Sequence, residues 1–260
     1  MKVAFVGFDL FYDVLLALDA SGADIIKIFT YKTDNEYEFN DKTLAFAEKR
    51  GIPVKDTRIT AEDLEHLRLL GCELLVSAGY IYKIPICDYF PMINVHPALL
   101  PIGRGPWPMP VTILRGMGES GITVHKLEES FDTGDILIQK KISLSEGENL
   151  ETLTKKLQTA AADAIKDVVQ SLDFYIANAV PQGDGEYWGE PDDGEMAFDC
   201  DTPRDEVDKI LRAFYGYGCY FLGENGKTFI KQGRLLQSLR TPLDNSSKII
   251  KIKCGIVEYI

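Results

Sequence analysis

The stretch Ile93-Asn94-Val95-His96-Pro97-Ala98-Leu99-Leu100-Pro101, continuing through Gly103-Arg104-Gly105-Pro106-Trp107-Pro108, holds the residue types best suited to chemistry. Asn94 and His96 stand two apart in an extended apolar run, so their side chains fall on one side of it. Pro97 keeps the residue before it out of the helical region, which ends the strand at His96. An amide and an imidazole then share a face at a strand's carboxyl end, where open α/β sheets bind their ligands. The proline-rich continuation cannot join a ladder, and its Leu99, Leu100 and Trp107 offer an apolar wall to a flat ligand.

A second polar stretch, Phe131-Asp132-Thr133-Gly134-Asp135, adds two carboxylates around a glycine bend. A carboxylate that reached His96 would raise its pKa, fix its tautomer and accept a proton from an incoming nucleophile. Asn, His and Asp together suit attack on a small carbonyl: the first two donate to the developing oxyanion and the third manages the nucleophile's proton. No Ser or Cys stands out as a nucleophile, which points to direct acyl transfer rather than a covalent acyl-enzyme. Each piece also has a plain structural reading. An Asn-x-His pair is commonly structural, Asp-Thr-Gly-Asp is turn-forming, and His125, inside a strand, suits packing or support of a site. With no Glu-x-x-His or Cys partner, a catalytic metal is not expected.

Short apolar runs alternate with helical patterns in the first half, as in an α/β, Rossmann-like, doubly wound and mostly parallel sheet. Strands are expected at 2–7, 25–29, around 53–54 and at 73–77, with helices through Leu10 to Leu18 and near 42–50 and 61–70. The turn after Gly7 is no dinucleotide loop, because Phe8, Asp9 and Leu10 block close approach and set a negative charge where pyrophosphate would lie. Residues 122–127 and 135–144 look extended, a hairpin-like pair in which Ile136, Ile138, Ile142 and Leu144 share one face. Asn149 fits an N-cap for one long helix to about Val180, with a stripe through Leu150, Leu153, Leu157, Ala161, Ala164, Val168, Leu172 and Ile176. Pro181-Gln182-Gly183-Asp184-Gly185 breaks the chain. The expected division is a catalytic domain over 1–183 and a small β-rich domain over 184–260, with one helix near 203–214.

The 260 residues carry 28 basic and 40 acidic side chains, a formal charge of −12, so the average field repels phosphate backbones and anionic lipid. Five scattered cysteines, Cys72, Cys87, Cys200, Cys219 and Cys254, form no Cys-x-x-Cys pair and suggest neither a disulfide framework nor structural zinc. The amino terminus runs straight into an apolar strand without a signal-peptide pattern, and no stretch has the length of a membrane span. A cytoplasmic location is the expectation, with no membrane partner.

Asn94-Val95-His96-Pro97-Ala98-Leu99-Leu100-Pro101 with Arg104-Gly105, Gly121-Ile122-Thr123-Val124-His125, and Asp132-Thr133-Gly134-Asp135-Ile136 with Gln139 resemble, in that order, the formyltransferases that use 10-formyltetrahydrofolate. The resemblance runs from residue 1 to about 180. It implies a Rossmann-like sheet with the folate site at the strand ends, and catalytic roles for Asn94, His96 and Asp132. It also implies a pterin slot between Tyr80-Ile81-Tyr82-Lys83-Ile84 and the loop through Phe131 and Asp132, with Leu99 nearby. Arg104 and Gly105 become candidates for the acceptor, the arginine toward a phosphate. Tyr187, Asp192 to Glu195, Ile210 to Ala213 and Tyr217-Gly218 are similar to the small OB-like domain that follows the catalytic domain in methionyl-tRNA and amino-sugar formyltransferases, here shortened.

The acceptor is read from charge. Thr33 to Asp41 is acidic where the tRNA enzymes carry a basic insertion, and residues 186–260 hold ten basic against thirteen acidic side chains. Neither suits tRNA, so a primary amine on a small molecule leads, with a nucleotide-linked amino sugar as its class. Methionyl-tRNA formyl transfer is the alternative, followed by a formyltetrahydrofolate hydrolase and a non-catalytic folate-binding module. Phe214-Tyr215-Gly216-Tyr217 is either core or the contact of a homodimer.

Overall fold

The computed structural model describes residues 1–224, 226–237 and 246–260. The chain divides into two compact units. The first comprises 1–106, 121–142 and 156–187; the second takes 107–120, 143–155 and 188–260. A single cut at 183/184 therefore misses two earlier segments of the second unit, because a chain that leaves a domain and returns to it shows no break in composition.

The framework is a seven-stranded sheet in the order β3-β2-β1-β4-β5-β7-β8. Its strands are β1 (Lys2–Gly7), β2 (Asp24–Phe29), β3 (Val54–Lys55), β4 (Leu74–Ala78), β5 (Met92–His96), β7 (Glu119–Lys126) and β8 (Ile136–Ser143). The first five pair in parallel and β7 lies antiparallel to β5. Parallel strands buried on both faces must be apolar throughout, and β4, Leu74–Ala78, is buried at every position. Three helices cross over between these strands: α1 (Tyr12–Ala20), α2 (Asp41–Arg50) and α3 (Ala61–Leu69). Thr60 and Asp63 start α3 with a reciprocal capping box.

The carboxylate that spoke against a pyrophosphate loop has a structural task. Asp9 accepts the Lys42 and Thr43 backbone N–H groups at 3.0 and 2.9 Å and so caps α2 from across the sheet's edge. The long helix begins as expected: Asn149 Oδ1 accepts the Thr152 N–H at 2.9 Å and the Thr152 hydroxyl accepts the Asn149 N–H at 3.1 Å. It does not run on to 180. Ser171, at φ −143° and ψ 45°, separates α5 (Leu150–Gln170) from α6 (Leu172–Ala177). The stripe reflects the break, since Leu150 to Val168 are buried whereas Leu172 and Ile176 are only half-buried. The Ser171 side chain makes no cap hydrogen bond, so the break lies in its backbone conformation.

A short strand β6 (Ile102–Arg104) pairs in parallel with β9 (Glu186–Tyr187), so the breaker segment after α6 returns to the first unit. The second unit contains α4 (Pro108–Leu114), α7 (Arg204–Ala213) and two three-stranded sheets. One is built from β10 (Ala197–Asp199), β11 (Cys219–Gly223) and β12 (Gly226–Ile230). The other has β13 (Gly233–Leu236), β14 (Lys248–Ile252) and β15 (Gly255–Tyr259). Val207, Ile210, Leu211 and Phe214 supply its buried stripe. Among the described residues no helix is long and apolar enough to cross a membrane.

Asp9→Ala is expected to lower stability by about 1–2 kcal/mol, the usual cost of a lost helix cap, with catalysis unchanged. Thermal and urea unfolding measure the first and turnover the second; an unchanged melt would show that α2 does not depend on this cap.

Candidate active site

Asn94 and His96 lie on one face at the carboxyl end of β5, and the antiparallel register of β7 sets His125 opposite Asn94 and Thr123 opposite His96. Cross-strand neighbours on one face come within side-chain reach. The Thr123 hydroxyl donates to the Ala98 carbonyl at 2.6 Å and accepts the Leu100 N–H at 3.1 Å. Gln139 donates to the Leu100 carbonyl at 2.7 Å. The chain beyond His96 is thereby tied down over β7.

Asp132 closes the cluster. It sits at φ +57°, a left-handed conformation that Asp tolerates better than most residues. Its Oδ1 lies 3.4 Å from His96 Nδ1, 3.4 Å from His125 Nε2 and 3.3 Å from Asn94 Nδ2, which donates to it. Its Oδ2 accepts the Gly105 N–H at 2.9 Å. All three predicted residues thus converge, and His125, taken as packing or support, joins them at 1% exposure. The missed signal was the pairing of two strands 31 residues apart: nothing in either stretch announces an antiparallel partner inside a mostly parallel sheet.

The ring nitrogens of His96 are assigned by their partners. Nε2 lies 2.7 Å from the Gly103 carbonyl, which can only accept, so that nitrogen carries hydrogen. In a neutral ring Nδ1 then presents a bare lone pair toward Asp132. Burial pushes the His96 pKa below its ordinary value, against the opposing pull of Asp132, so the ring is neutral at pH 7. Burial alone would raise the Asp132 carboxyl. His96, His125 and the Gly105 N–H favour the anion more strongly and bring it down to about 2. The site therefore holds an anion beside a neutral imidazole, with room for one proton between them.

Other expected residues are placed differently. Arg104 turns inward, its Nε and Nη2 donating to Gln182 Oε1 at 3.2 and 3.0 Å and its Nη2 also to the Gly183 carbonyl at 3.0 Å. Gly105 gives its N–H to Asp132 rather than to an acceptor. Ile84 is a core residue, packed with Ile59, Leu64, Phe90 and Met92, because it faces the opposite way from the exposed Ile81. The Tyr80 hydroxyl accepts the Ile59 N–H at 3.3 Å, and its ring lies 5.6 Å from Tyr82. Lys83 pairs with Glu129 at 3.0 Å, joining this segment to the loop that leads to Asp132, where Phe131 is 54% exposed. Leu99 packs beside Gly121, where a Cβ would strike it. Leu100 is buried, and Trp107 belongs to the second unit, its ring 4.5 Å from Tyr217 and 5.9 Å from Phe214. Of the expected wall of Leu99, Leu100 and Trp107, the buried Leu100 therefore offers no surface to a ligand. Phe214 is core, at 1% exposure. Among the described residues no group of His, Cys, Asp or Glu is arranged to hold a metal ion.

An open α/β sheet with a buried amide–imidazole–carboxylate cluster at a strand end defines the class. The chain belongs to the formyl transferase family, whose model matches residues 1–169. It is 30% identical over 192 residues to the methionyl-tRNA formyltransferase of Ehrlichia ruminantium (strain Welgevonden), a match covering 72% of this chain and 61% of that relative. The matched part thus spans about three fifths of the relative's length. Among solved structures, a sugar N-formyltransferase from Shewanella sp FDAARGOS_354 superimposes with TM-score 0.68 at 22% identity, covering 89% of this chain and 96% of that one. WlaRD, a sugar 3N-formyl transferase solved in the presence of dTdp and 5-N-formyl-THF, gives TM-score 0.69 at 18% identity over 100% and 96% of the two chains. At these identities the solved structures establish a shared fold.

The depressed Asp132 carboxyl contributes stability that is complete above its ordinary value of 3.8 and is lost as pH falls toward about 2. His96 acts in the same sense: its lowered pKa favours the native state above 6.5 and less so below. Between about pH 4 and about pH 2 the wild type should lose about 2 kcal/mol that Asp132→Asn does not. Urea unfolding along that pH series measures it, and equal acid slopes in the two proteins would contradict the ionisation assigned here.

Proposed function

We propose that this chain is an N-formyltransferase that moves the formyl group of 10-formyltetrahydrofolate to a primary amine of a small molecule, with a nucleotide-linked amino sugar as the acceptor class. The observation that carries the reading is the convergence of Asn94 and His96 on Asp132, whose Oδ1 lies 3.3 Å from Asn94 Nδ2 and 3.4 Å from His96 Nδ1, at the end of β5. The exposed Ile81 and Phe131 offer apolar surface for a pterin on the two segments that Lys83 and Glu129 link.

In this mechanism the neutral amine attacks the formyl carbon, a carbon–nitrogen bond forms, and the carbonyl oxygen becomes negative. Asp132 takes the amine proton and shares it with the bare Nδ1 of His96. As the carboxylate is neutralised its hold on the Asn94 N–H weakens, and that N–H turns to the new oxyanion. The proton then passes from His96 to N10 of the folate as the bond from N10 to the formyl carbon breaks. Atoms and charge balance without a covalent enzyme intermediate.

The acidic segment 33–41 and the acidic excess over 186–260 support a small acceptor over tRNA. The relation to a methionyl-tRNA formyltransferase at 30% identity keeps tRNA as the second reading. A mass-spectrometric screen for formyl gain, with 10-formyltetrahydrofolate as donor, should mark a nucleotide amino sugar and leave charged initiator tRNA unchanged. Formylated tRNA would transfer the assignment to the second reading, and formate released without any amine would indicate a hydrolase.

Asn94→Ala is expected to lower kcat by about 10²–10³-fold, as for loss of an oxyanion donor. His96→Ala and Asp132→Asn should abolish turnover while circular dichroism remains native. Near-normal rates in either of the last two would remove the proposed chemistry from this cluster.

A further inference from the structure

Pro181 to Gly185 has the composition of a linker, yet Gln182 spends its whole side chain on the catalytic cluster's supports. Its Nε2 donates to the Asp132 carbonyl at 3.0 Å and to the Gly134 carbonyl at 2.6 Å. Its Oε1 accepts from Nε and Nη2 of Arg104 at 3.2 and 3.0 Å. Arg104 in turn stands between two residues whose backbones touch the cluster. The Gly103 carbonyl accepts from His96 Nε2 at 2.7 Å, and the Gly105 N–H donates to Asp132 Oδ2 at 2.9 Å.

The surrounding packing leaves this clasp little slack. A Cβ on Gly185 would collide with the Pro101 carbonyl and the Arg104 guanidinium, and one on Gly134 with the Lys126 carbonyl. The Glu186 N–H donates to the Pro101 carbonyl at 3.0 Å, extending the contact into the β6–β9 pairing. A loop residue at φ +57° needs its backbone held from outside the loop, and Gln182 contacts that residue's own carbonyl.

We propose that Gln182, braced by Arg104, is a positioning residue for Asp132: one amide joins the segment Gly103 to Gly105, which contacts both His96 and Asp132, to the loop that carries the carboxylate. Arg104 on this reading serves the clasp and not a substrate phosphate. The proposal rests on the catalytic role given to Asp132 above, but its geometry is tested without turnover.

The test follows the Asp132 carboxyl by NMR in protein labelled with ¹³C at aspartate side-chain carbons, the signal being identified by its loss in Asp132→Asn. In the wild type it should titrate at about 2. Gln182→Ala releases the loop from β6 and should move the titration up by about one unit, as the carboxylate drifts from its donors. Gln182→Met, which keeps the side chain's length without its amide or any charge, should move it in the same direction. The groups facing the carboxylate, His96 and Asn94 from β5, His125 from β7 and the Gly105 N–H beyond β6, are unchanged in sequence in both variants. With the acceptor identified by the screen, kcat of Gln182→Ala should fall about 10–10²-fold with KM for the folate unchanged, a split expected of misplacement rather than lost binding. If Gln182→Ala does not fold, Arg104→Lys, which removes the paired contact and keeps both amide donations, should show a smaller upward shift. An unmoved Asp132 titration in a folded variant overturns the proposal, whatever the turnover. Failure of every acceptor would instead count against the functional reading alone.

Discussion

The constraint on which the site depends is the cost of burying an anion. Asp132 exposes only 9% of its side chain, and a carboxylate so far from water is tolerated only where donors replace its hydration. Donors come from two places in the chain, Asn94 on β5 and the Gly105 N–H beyond β6, and the imidazoles of His96 and His125 close in at 3.4 Å from adjacent strands. Much of the local architecture follows from bringing them to one point. β7 must run against β5 in the register that sets His125 beside Asn94, and the loop must bend through φ +57° to turn the carboxylate inward.

The same burial decides how the cluster handles a proton. A charged His96 would gain from Asp132 but would lose its own hydration, and burial prevails. The Gly103 carbonyl removes the remaining ambiguity by claiming the Nε2 hydrogen, which leaves Nδ1 bare on the side of the carboxylate. A neutral ring and an anion separated by 3.4 Å can accept one proton between them, and accepting it frees an amide donor. In the proposed mechanism, basicity and oxyanion stabilisation are thus coupled through a single hydrogen bond rather than assigned to independent residues.

Strands and helices with strong periods were legible in both units: β1 spans Lys2–Gly7, as its apolar run predicts, and α7 spans Arg204–Ala213 within the predicted 203–214. Asn94 and His96 were legible for the same reason, since alternation in a strand fixes the shared face. What was hidden depends on contacts between distant stretches. His125 owes its place to a cross-strand register. Arg104 owes its inward turn to an amide 78 residues later, and the second unit borrows two segments from the middle of the chain. The helix break at Ser171 was hidden for a local reason, because the apolar spacing continues through a serine whose backbone does not.

Chemistry and acceptor choice are written in different parts of such a protein. In the proposed reaction the cluster at the end of β5 meets only a carbonyl and an amine, so it carries no information on the rest of the acceptor. Discrimination must come from surface loops, where the only broad physical signal is charge. In the segment 33–41, Asp34 is partly structural: its Oδ1 accepts the N–H groups of Glu36, Tyr37 and Glu38 at 2.9, 3.0 and 2.9 Å, and these bonds hold its carboxyl below the usual range. Using an acidic residue to build a turn does not neutralise it, because hydrogen bonds from neutral N–H groups favour the charged form. The turn therefore keeps its negative charge wherever the enzyme works. A phosphodiester backbone laid along it would meet repulsion from Asp34, Glu36, Glu38 and Asp41 together, which is the physical content of the proposed preference for a small acceptor.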